Sequence, residues 1–204
     1  MALDIEGLHH WPGYLDEDAQ RDLLDLVRHG VGQAPLFTPR MPKTGKPMSV
    51  RMTNFGQLGW VTDKDKGYRY QPNHPETGKP WPPIPDMLLD IWSALSGHHQ
   101  PPQACLVNFY EDGAKMGLHQ DRDEKTFDAP VLSLSLGNTC LFRIGGTTRG
   151  GKTRSFRLES GDAMMLAGSA RLAFHGVDRI YPRTSDLLKS GGRINLTMRV
   201  VEAA

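Results

Sequence analysis

The stretch PVLSLSLG, residues 130–137, alternates apolar and polar side chains along its length. Successive side chains of a β-strand point to opposite faces, so such a stretch separates its leucines from its serines. The two sets are Leu132, Leu134 and Leu136 on one face and Ser133 and Ser135 on the other. The stretch therefore predicts a strand with one apolar and one polar face.

The two-residue period continues through most of the chain after Ala104. Eight short segments share it: ACLVNFY, AKMGLHQD, PVLSLSLG, TCLFRIG, RSFRLES, DAMMLAG, RLAFHGV and RINLTMRVV. Short strands separated by turn residues are typical of a barrel or of a double-sheet jelly roll. The carboxyl-terminal half of the chain is therefore predicted to be β-structure.

In the amino-terminal half the period is helical in two places. The stretch LDEDAQRDLLDLVRHG, residues 15–30, predicts a helix that Asp16 caps and Gly30 ends. Its apolar face consists of Ala19, Leu23, Leu26 and Val27. The stretch PDMLLDIWSALSG, residues 85–97, predicts a second helix. Its apolar face consists of Met87, Leu88, Ile91, Trp92 and Leu95.

The composition is that of a globular protein. The chain has 204 residues, enough for one domain with a substantial core. No apolar run approaches the ~20 residues of a membrane span, and the first residues lack the basic start and apolar core of a secretory signal. We therefore expect a cytoplasmic protein. The net charge of +1 leaves room for a basic surface only on part of the molecule.

The two cysteines lie in apolar runs, Cys105 in ACLVNFY and Cys140 in TCLFRIG. Two isolated cysteines form neither a disulfide scaffold nor a thiolate zinc site. We expect both to be buried thiols.

Three residues have the chemistry of an iron site. His119 and Asp121 in the HQD motif are two apart, so on a strand both side chains reach the same face. His175 lies in a later strand-like segment, LAFHGV. Two histidines and one carboxylate form the facial triad of non-haem Fe(II) oxygenases, which leaves positions open for a co-substrate and O2.

Other interpretations of this motif remain open at this point. A bare His-x-Asp is common, and a hydrolytic zinc site uses similar ligands. The remaining histidines lie in polar or loop-like contexts and are expected at the surface: His9, His10, His29, His74, His98 and His99.

The last strand favours the oxygenase. In RINLTMR, even spacing places Arg193, Asn195 and Arg199 on one face. A buried guanidinium needs an anionic partner and matches a carboxylate with two parallel hydrogen bonds. A dicarboxylic keto acid would offer one carboxylate to such an arginine and chelate a metal with its other end. The alternative is a pair of surface arginines on an edge strand.

One motif is misleading. The sequence GTTRGGKT, residues 146–153, fits the phosphate-binding P-loop pattern. A P-loop must lead into a helix, whose amino terminus holds the phosphate. The residues that follow, RSFRLES, alternate like a strand, so we interpret this stretch as a hairpin loop.

Several long stretches between about Met48 and Val200 follow, in order, the pattern of a known family. They are MSVRMTNFGQLGW, GYRYQPNHPETGKPWPPIP, ACLVNFYEDGAKMGLHQDRDE, APVLSLSLGNTCLFRIGG, ESGDAMMLAGSARLAFHG and RINLTMR. In these stretches the chain resembles the AlkB family of Fe(II)- and 2-oxoglutarate-dependent dioxygenases, which reverse alkylation damage on nucleic acid bases. Two departures from the family pattern are Phe109, where a polar or basic residue is expected, and one extra residue in VTDKDKG after Trp60.

The resemblance implies an α+β, mainly β protein. Its core would be a double-stranded β-helix, or jelly roll, with N-terminal helices and a nucleotide-recognition lid. It implies one domain over residues 1–204, with helices and lid in residues 1–100 and the catalytic core in residues 101–204. We expect a monomer with no obligate protein partner and no membrane association.

The resemblance also implies roles for individual residues. The implied Fe(II) ligands are His119, Asp121 and His175. The implied 2-oxoglutarate contacts are Asn108, Tyr110, Arg193, Asn195 and Arg199. The implied base contacts are Trp60, Tyr68, Asp123 and Arg149.

The implied reaction is oxidative demethylation of bases such as 1-methyladenine and 3-methylcytosine in DNA, preferably single-stranded, or in RNA. The reaction would consume 2-oxoglutarate and O2 and release succinate, CO2 and formaldehyde. A base methylated at a ring nitrogen is cationic, so it gains a cation–π term on Trp60 or Tyr68, and Asp123 can pair with its charge or its amine. The alternatives are the same chemistry on RNA or protein, a nucleic-acid-binding module without catalysis, and a zinc hydrolase. For Trp60, a place in the core is the competing interpretation.

Overall fold

The computed structural model describes residues 5–203, which contain strands, two α-helices and one 3-10 turn. The strands are β1 (Leu8–Trp11), β2 (Val50–Gly56), β3 (Gly59–Asp63), β4 (Gly67–Gln71), β5 (Ala104–Tyr110), β6 (Met116–His119), β7 (Val131–Gly137), β8 (Cys140–Ile144), β9 (Arg154–Leu158), β10 (Ala163–Leu166), β11 (His175–Ile180) and β12 (Arg193–Arg199). The helices are α1 (Glu17–Gln33), α2 (Asp86–Leu95) and the 3-10 turn Gly168–Ala170.

Two antiparallel sheets form the core. The larger has the order β1-β10-β7-β12-β5-β2 and the smaller the order β6-β11-β8-β9, while β3 and β4 form a separate hairpin. Except for β8 and β9, neighbouring strands of the two sheets are not consecutive in the chain, as in a jelly roll, and the predicted double-stranded β-helix is confirmed. The sequence analysis did not predict β1 and β2, which complete the larger sheet. The first 100 residues therefore contribute to the core as well as to the helices and the hairpin.

The alternating pattern of β7 and β12 determines what lies on each side of the larger sheet. The leucines of β7 pack with the apolar residues of α1 and α2 in one cluster, together with Leu196 and Met198 of β12. Ser133 and the polar residues of β12 line a cavity on the opposite side of the sheet, and Ser135 bonds to Arg193 there. The polar face of PVLSLSLG was thus predicted correctly, but it is buried: Ser133 is 5% and Ser135 1% exposed.

Helix α1 begins as predicted and ends later than predicted. The Asp16 side chain accepts a hydrogen bond from the Ala19 backbone N–H at 2.8 Å, which satisfies one of the free donors of the first turn. The apolar face includes Leu23 and Val27 as predicted, but Leu24 is buried in place of Leu26, which is 37% exposed. The helix also continues past Gly30 to Gln33. No helix within residues 5–203 is long and apolar enough to cross a membrane.

Two further expectations concern buried side chains. Cys105 and Cys140 are free and buried, as expected, and burial raises the pKa of the Cys105 thiol to about 12. The expectation that His74 lies at the surface is wrong, because it is 1% exposed. Its Nδ1 accepts hydrogen bonds from the backbone N–H groups of Glu76 and Thr77. A histidine in a polar loop can therefore be buried, because the backbone of the loop donates hydrogen bonds to its ring.

Gly30 allows helix α1 to approach the larger sheet. A Cβ at this position would lie 2.2 Å from the ring of Phe55 on β2, which is itself 2% exposed. Gly32, on the same helix, has no atom within 4 Å of the corresponding Cβ position. The two glycines therefore differ in packing while sharing a helical backbone.

We expect Gly30→Ala to destabilise the protein and Gly32→Ala to stabilise it. Overpacking a core costs roughly 1–3 kcal/mol, which exceeds the gain of up to ~1 kcal/mol from replacing a helical glycine with alanine. Gly32→Ala receives only that gain. Urea unfolding of the two variants measures the difference, and equal effects would show that Phe55 does not restrict Gly30.

Candidate metal centre and active site

Three side chains meet where β6 and β11 pair in the smaller sheet. His119 ends β6 and pairs in register with His175 at the start of β11. Asp121 follows His119 by two residues and is buried. One ligand atom from each residue lies within 4.8 Å of the others. The Nε2 atoms of His119 and His175 each lie 3.6 Å from an oxygen of Asp121.

A glycine brings these two strands close together. A Cβ at Gly176, next to His175, would lie 2.5 Å from the Met116 carbonyl oxygen. A larger residue there would push β11 away from β6 and separate the histidines.

Both histidine rings present the nitrogen that binds metals. The Nδ1 of His119 lies 2.9 Å from the Gly117 carbonyl, and the Nδ1 of His175 lies 2.9 Å from the Ala173 carbonyl. A carbonyl can only accept, so these contacts place the proton on Nδ1 and leave the Nε2 lone pair facing Asp121. Burial lowers the pKa of His175 to about 4, although Asp121 opposes this. The donor set of two imidazole Nε2 atoms and a carboxylate fits Fe(II).

Asp121 is also ion-paired. Burial alone would raise its pKa, but Arg199 and the two histidines outweigh burial and hold the pKa well below its usual range. An Nη2 of Arg199 donates to Asp121 Oδ1 at 2.8 Å. The Nη1 of Arg199 donates to Glu124 at 3.0 Å and to the Tyr70 hydroxyl at 3.1 Å. Tyr70 in turn donates to Glu124 at 2.5 Å, so this network reaches the β3–β4 hairpin.

Arg171 forms hydrogen bonds with the segment after β6 that contains Asp121 and Glu124. Its guanidinium donates to the Asp121 backbone carbonyl at 2.7 Å, to the Ala129 carbonyl at 2.9 Å and to Glu124 at 3.3 Å. The side chain is 3% exposed. These bonds hold the irregular segment after β6 in a fixed position. The sequence analysis missed Arg171 and Glu124, because neither belongs to a recognisable spacing and each acts through contacts that only the fold creates.

Arg193 is a buried cation in the cavity beside the metal ligands. It is 1% exposed. Its Nη atoms donate to Ser135 Oγ at 2.7 Å and, more weakly, to the carbonyls of Asn138 and Leu158 at 3.4 and 3.3 Å, and its Nε has no partner. Within residues 5–203 no carboxylate pairs with it. A buried guanidinium without a counter-charge fits an anionic ligand.

The cavity brings together the residues expected to bind the co-substrate. It is lined by His119, Asp121 and His175 and by Asn108, Tyr110, Arg193, Asn195 and Arg199. Ser133 also lines it, and its Oγ is buried without a hydrogen-bond partner among residues 5–203. Unpaired polar atoms on two of its strands fit a polar, negatively charged molecule beside the metal ligands.

Three of the four residues expected to contact a base are neighbours. The Trp60 Nε1–H donates to Asp123 Oδ2 at 2.7 Å. The rings of Trp60 and Tyr68 are stacked, with centroids 5.7 Å apart and planes at 24°. Trp60 is half-buried, while Tyr68 is 48% exposed. Trp60 is therefore not a fully buried core residue.

The fourth, Arg149, lies in the loop between β8 and β9. Its guanidinium lies 5.0 Å from the ring centre of Phe174, and no contact within residues 5–203 joins it to Trp60, Tyr68 or Asp123. The amide of Gln120, between the two metal ligands in sequence, donates to the Thr147 carbonyl of this loop at 3.2 Å. The P-loop-like stretch is thus a hairpin loop attached to the metal-binding segment, and the strand β9 follows it.

Comparison with known proteins identifies the class. A family model of the 2OG-Fe(II) oxygenase superfamily matches residues 7–199. The chain is 56% identical over 200 residues to the alpha-ketoglutarate-dependent dioxygenase AlkB homolog of Caulobacter vibrioides (strain NA1000 / CB15N), covering 98% of this chain and 90% of the relative. It is 39% identical over 190 residues to alpha-ketoglutarate-dependent dioxygenase AlkB of Escherichia coli (strain K12), covering 89% and 85%. A solved structure of OsALKBH1 matches with a TM-score of 0.78 and 32% identity, covering 95% of this chain and 96% of that one.

The jelly roll and the His-Asp-His cluster are thus those of a 2OG-Fe(II) oxygenase, a dioxygenase that uses Fe(II) and 2-oxoglutarate. Within that superfamily the chain belongs to the AlkB family of alpha-ketoglutarate-dependent dioxygenases.

We expect Glu124→Gln to destabilise the protein by roughly 3 kcal/mol or more, because it removes one charge of a buried ion pair. Lys125→Gln is the matched control: the next residue has an exposed ion pair with Glu202, worth ~0–1 kcal/mol. Urea unfolding measures both. An effect of Glu124→Gln no larger than that of the control would show that Glu124 does not balance the buried charges of Arg199 and Arg171.

The difference in stability between the wild type and Glu124→Gln should depend on pH. Burial opposes ionisation of Glu124, but Arg199 outweighs it and lowers the pKa below its ordinary value of 4.5. A carboxylate with a lowered pKa stabilises the fold fully above its unfolded pKa and loses that contribution as the pH falls toward the folded one. The stability gap between the wild type and Glu124→Gln should therefore narrow as the pH falls below 4.5.

Proposed function

We propose that this dioxygenase removes methyl groups from ring nitrogens of nucleic acid bases, such as those of 1-methyladenine and 3-methylcytosine, with single-stranded DNA preferred. The observation that carries the proposal is the arrangement of one buried cavity. The three metal-ligating side chains lie beside an unpaired buried arginine, and a tryptophan bonded to a carboxylate stands nearby on the hairpin. The family resemblance supports the nucleic acid as substrate.

The proposed roles follow from the contacts. His119, Asp121 and His175 hold Fe(II). Arg193 binds the far carboxylate of 2-oxoglutarate, because its charge has no other partner, whereas Arg199 is engaged by Asp121 and Glu124. Arg199 therefore orients Asp121, and its unpartnered Nε is the atom left for the co-substrate. Asn108, Tyr110 and Asn195 complete the walls of the cavity.

Bound Fe(II) and 2-oxoglutarate supply the oxidising chemistry: one atom of O2 enters a C–H bond of the methyl group, and the other enters succinate as CO2 leaves. The resulting N-hydroxymethyl group breaks at its N–C bond to give formaldehyde and the unmethylated base. The protein excludes water and positions the methyl group beside the metal.

Base recognition uses the hairpin. A methylated, cationic base stacks on Trp60 and gains a cation–π term. Asp123 accepts the Trp60 N–H through Oδ2, which leaves Oδ1 for the exocyclic amine of the base. The exposed Tyr68 ring and Arg149 contact the sugar–phosphate chain on either side. A base within a duplex must first leave the stack, at a cost of ~a few kcal/mol, and this favours single strands.

The direct test supplies Fe(II) and 2-oxoglutarate without oxygen and then admits oxygen over a panel of methylated DNA and RNA strands. Mass spectrometry should show loss of a methyl group from 1-methyladenine or 3-methylcytosine and one succinate for each formaldehyde. Demethylation of RNA or of a protein alone would reassign the substrate within the same chemistry. Unchanged strands and no succinate would overturn the proposal. A monomeric state and a cytoplasmic location stay predictions.

Arg193→Met should raise the KM for 2-oxoglutarate roughly thirtyfold or more, because a charge-assisted contact to a buried carboxylate is worth ~2–5 kcal/mol. Succinate formation measures it. Arg51→Met, which removes an exposed arginine paired with Glu111, should leave the KM unchanged. A normal KM in Arg193→Met would transfer the role to Arg199.

Trp60→Ala should lower kcat/KM for the methylated strand roughly tenfold to a hundredfold, because stacking on an aromatic ring is worth ~1–3 kcal/mol per base. Trp60→Phe keeps the ring but loses the bond to Asp123, so its loss should be smaller. The KM for 2-oxoglutarate should not change in either variant. If Trp60→Ala destabilised the fold and left demethylation per folded molecule unchanged, Trp60 would belong to the core and not to the substrate site.

A further inference from the structure

Positive charge is concentrated on one part of this nearly neutral chain. Residues 141–183 contain eight arginines and lysines against three carboxylates, in a chain whose net charge is +1. This segment supplies β8, β9 and β11, three of the four strands of the smaller sheet. One face of these strands packs in the core through Phe142 and Ile144, so alternate side chains point outward.

The strand register places two of the arginines in one outer row. Arg157 of β9 pairs with Leu141 of β8, and Leu141 pairs with Arg179 of β11. Both arginines are exposed. Their guanidinium carbons lie 5.0 and 6.0 Å from the ring centre of Tyr181. An aromatic ring thus holds two guanidinium groups together on the outer face.

These two arginines lack the counter-charges that their neighbours have. Arg143, on the same outer face, is paired with Asp178 at 2.9 Å. In the part of the chain that the structure describes, neither Arg157 nor Arg179 forms an ion pair. Two like charges kept close by one ring, without a carboxylate between them, fit a ligand with successive negative charges.

The position of this row connects it to the metal centre. His175 pairs with Ile144 in β8, three residues from Leu141, which is roughly 10 Å along a strand. The loop after β8 begins next to Ile144, is bonded to Gln120 of the metal-binding segment through Thr147, and carries the exposed Arg149 and Lys152. A chain that leaves the metal centre over this loop therefore reaches Arg157 and Arg179 within a few phosphate spacings.

The other side of Tyr181 marks the end of this surface. A groove of about 800 Å³ is lined by Tyr181 and by two arginines, Arg21 and Arg157, but also by three carboxylates, those of Glu17, Glu159 and Asp186. These carboxylates would repel a polyanion, so the basic surface does not extend into the groove.

We propose that Arg157, Arg179 and Tyr181 form a second nucleic-acid contact, which binds the phosphates of a single strand several nucleotides away from the base being demethylated. The contact rests on the proposed function. Its phosphate contacts carry no sequence information. It increases affinity for long substrates and leaves the chemistry at the metal unchanged.

The test compares a methylated trinucleotide with a methylated single strand of about 20 nucleotides, longer than a typical single-strand site. The double variant Arg157→Gln/Arg179→Gln should raise the KM for the long strand about tenfold at low salt, since two phosphate contacts are lost. It should reduce the slope of log affinity against log salt by roughly 1.4, at ~0.7 for each contact to a single strand. The kcat, and every parameter for the trinucleotide, should stay the same.

Three controls sharpen the result. Arg28→Gln removes an exposed arginine paired with Asp25 on α1 and should change nothing. Tyr181→Leu should give part of the loss, because the guanidinium groups lose their common ring, while Tyr181→Phe should behave like the wild type. Binding of an unmethylated, fluorescent long strand to the metal-free protein, measured by anisotropy, should show the same loss without any turnover.

Equal losses on the short and long strands, or an unchanged salt slope, would overturn the second contact. Failure of the proposed function is distinguishable from this result. In that case the wild type would leave the trinucleotide methylated, and the anisotropy measurement alone would decide whether the surface binds a strand.

Discussion

The buried ion pair between Asp121 and Arg199 connects the two sheets at the point where the metal ligands meet. Asp121 follows the smaller sheet and Arg199 ends the last strand of the larger one, and 2.8 Å separates their charged atoms. Glu124 and Tyr70 extend the pair to the β3–β4 hairpin. Because desolvation costs several kcal/mol per ion, such a network contributes more to position than to net stability. Its effect here is to fix a metal ligand, a cavity wall and the β3–β4 hairpin relative to one another.

The larger sheet separates stability from chemistry by its two faces. The apolar side chains of β7 and β12 pack against α1 and α2, while Ser133 and the polar side chains of β12 line the cavity. A slip of one residue in either strand would exchange these faces and bury the arginines among leucines. The register that builds the core therefore also builds the polar wall of the cavity beside the metal ligands, and a single alternating pattern specifies both.

Sequence reasoning succeeded where a spacing alone determines the geometry. The even spacings of HQD and RINLTMR placed their side chains on common faces, and the eight strands after Ala104 were found, with β11 beginning only at His175. It did not find β1 and β2, which lack a clear alternating pattern. It took Gly30 as the end of helix α1, but glycine also occurs where a helix packs tightly on a sheet. It placed His74 at the surface, but a loop histidine can be buried when it bonds to the backbone of its own loop. Glu124 and Arg171 could not be found, since their partners are distant in sequence.

Arg193 and Arg199 show why identity and spacing do not determine a role. They are six residues apart on the same face of one strand, and both are buried. Arg199 faces Asp121 and Glu124 from the smaller-sheet side, so two carboxylates already balance its charge. Arg193 is surrounded by a serine hydroxyl and carbonyl groups, which solvate a cation without neutralising it. Within residues 5–203 the same side chain is thus paired with carboxylates at one end of the strand and has no counter-charge at the other, and the difference lies in what the facing strands supply.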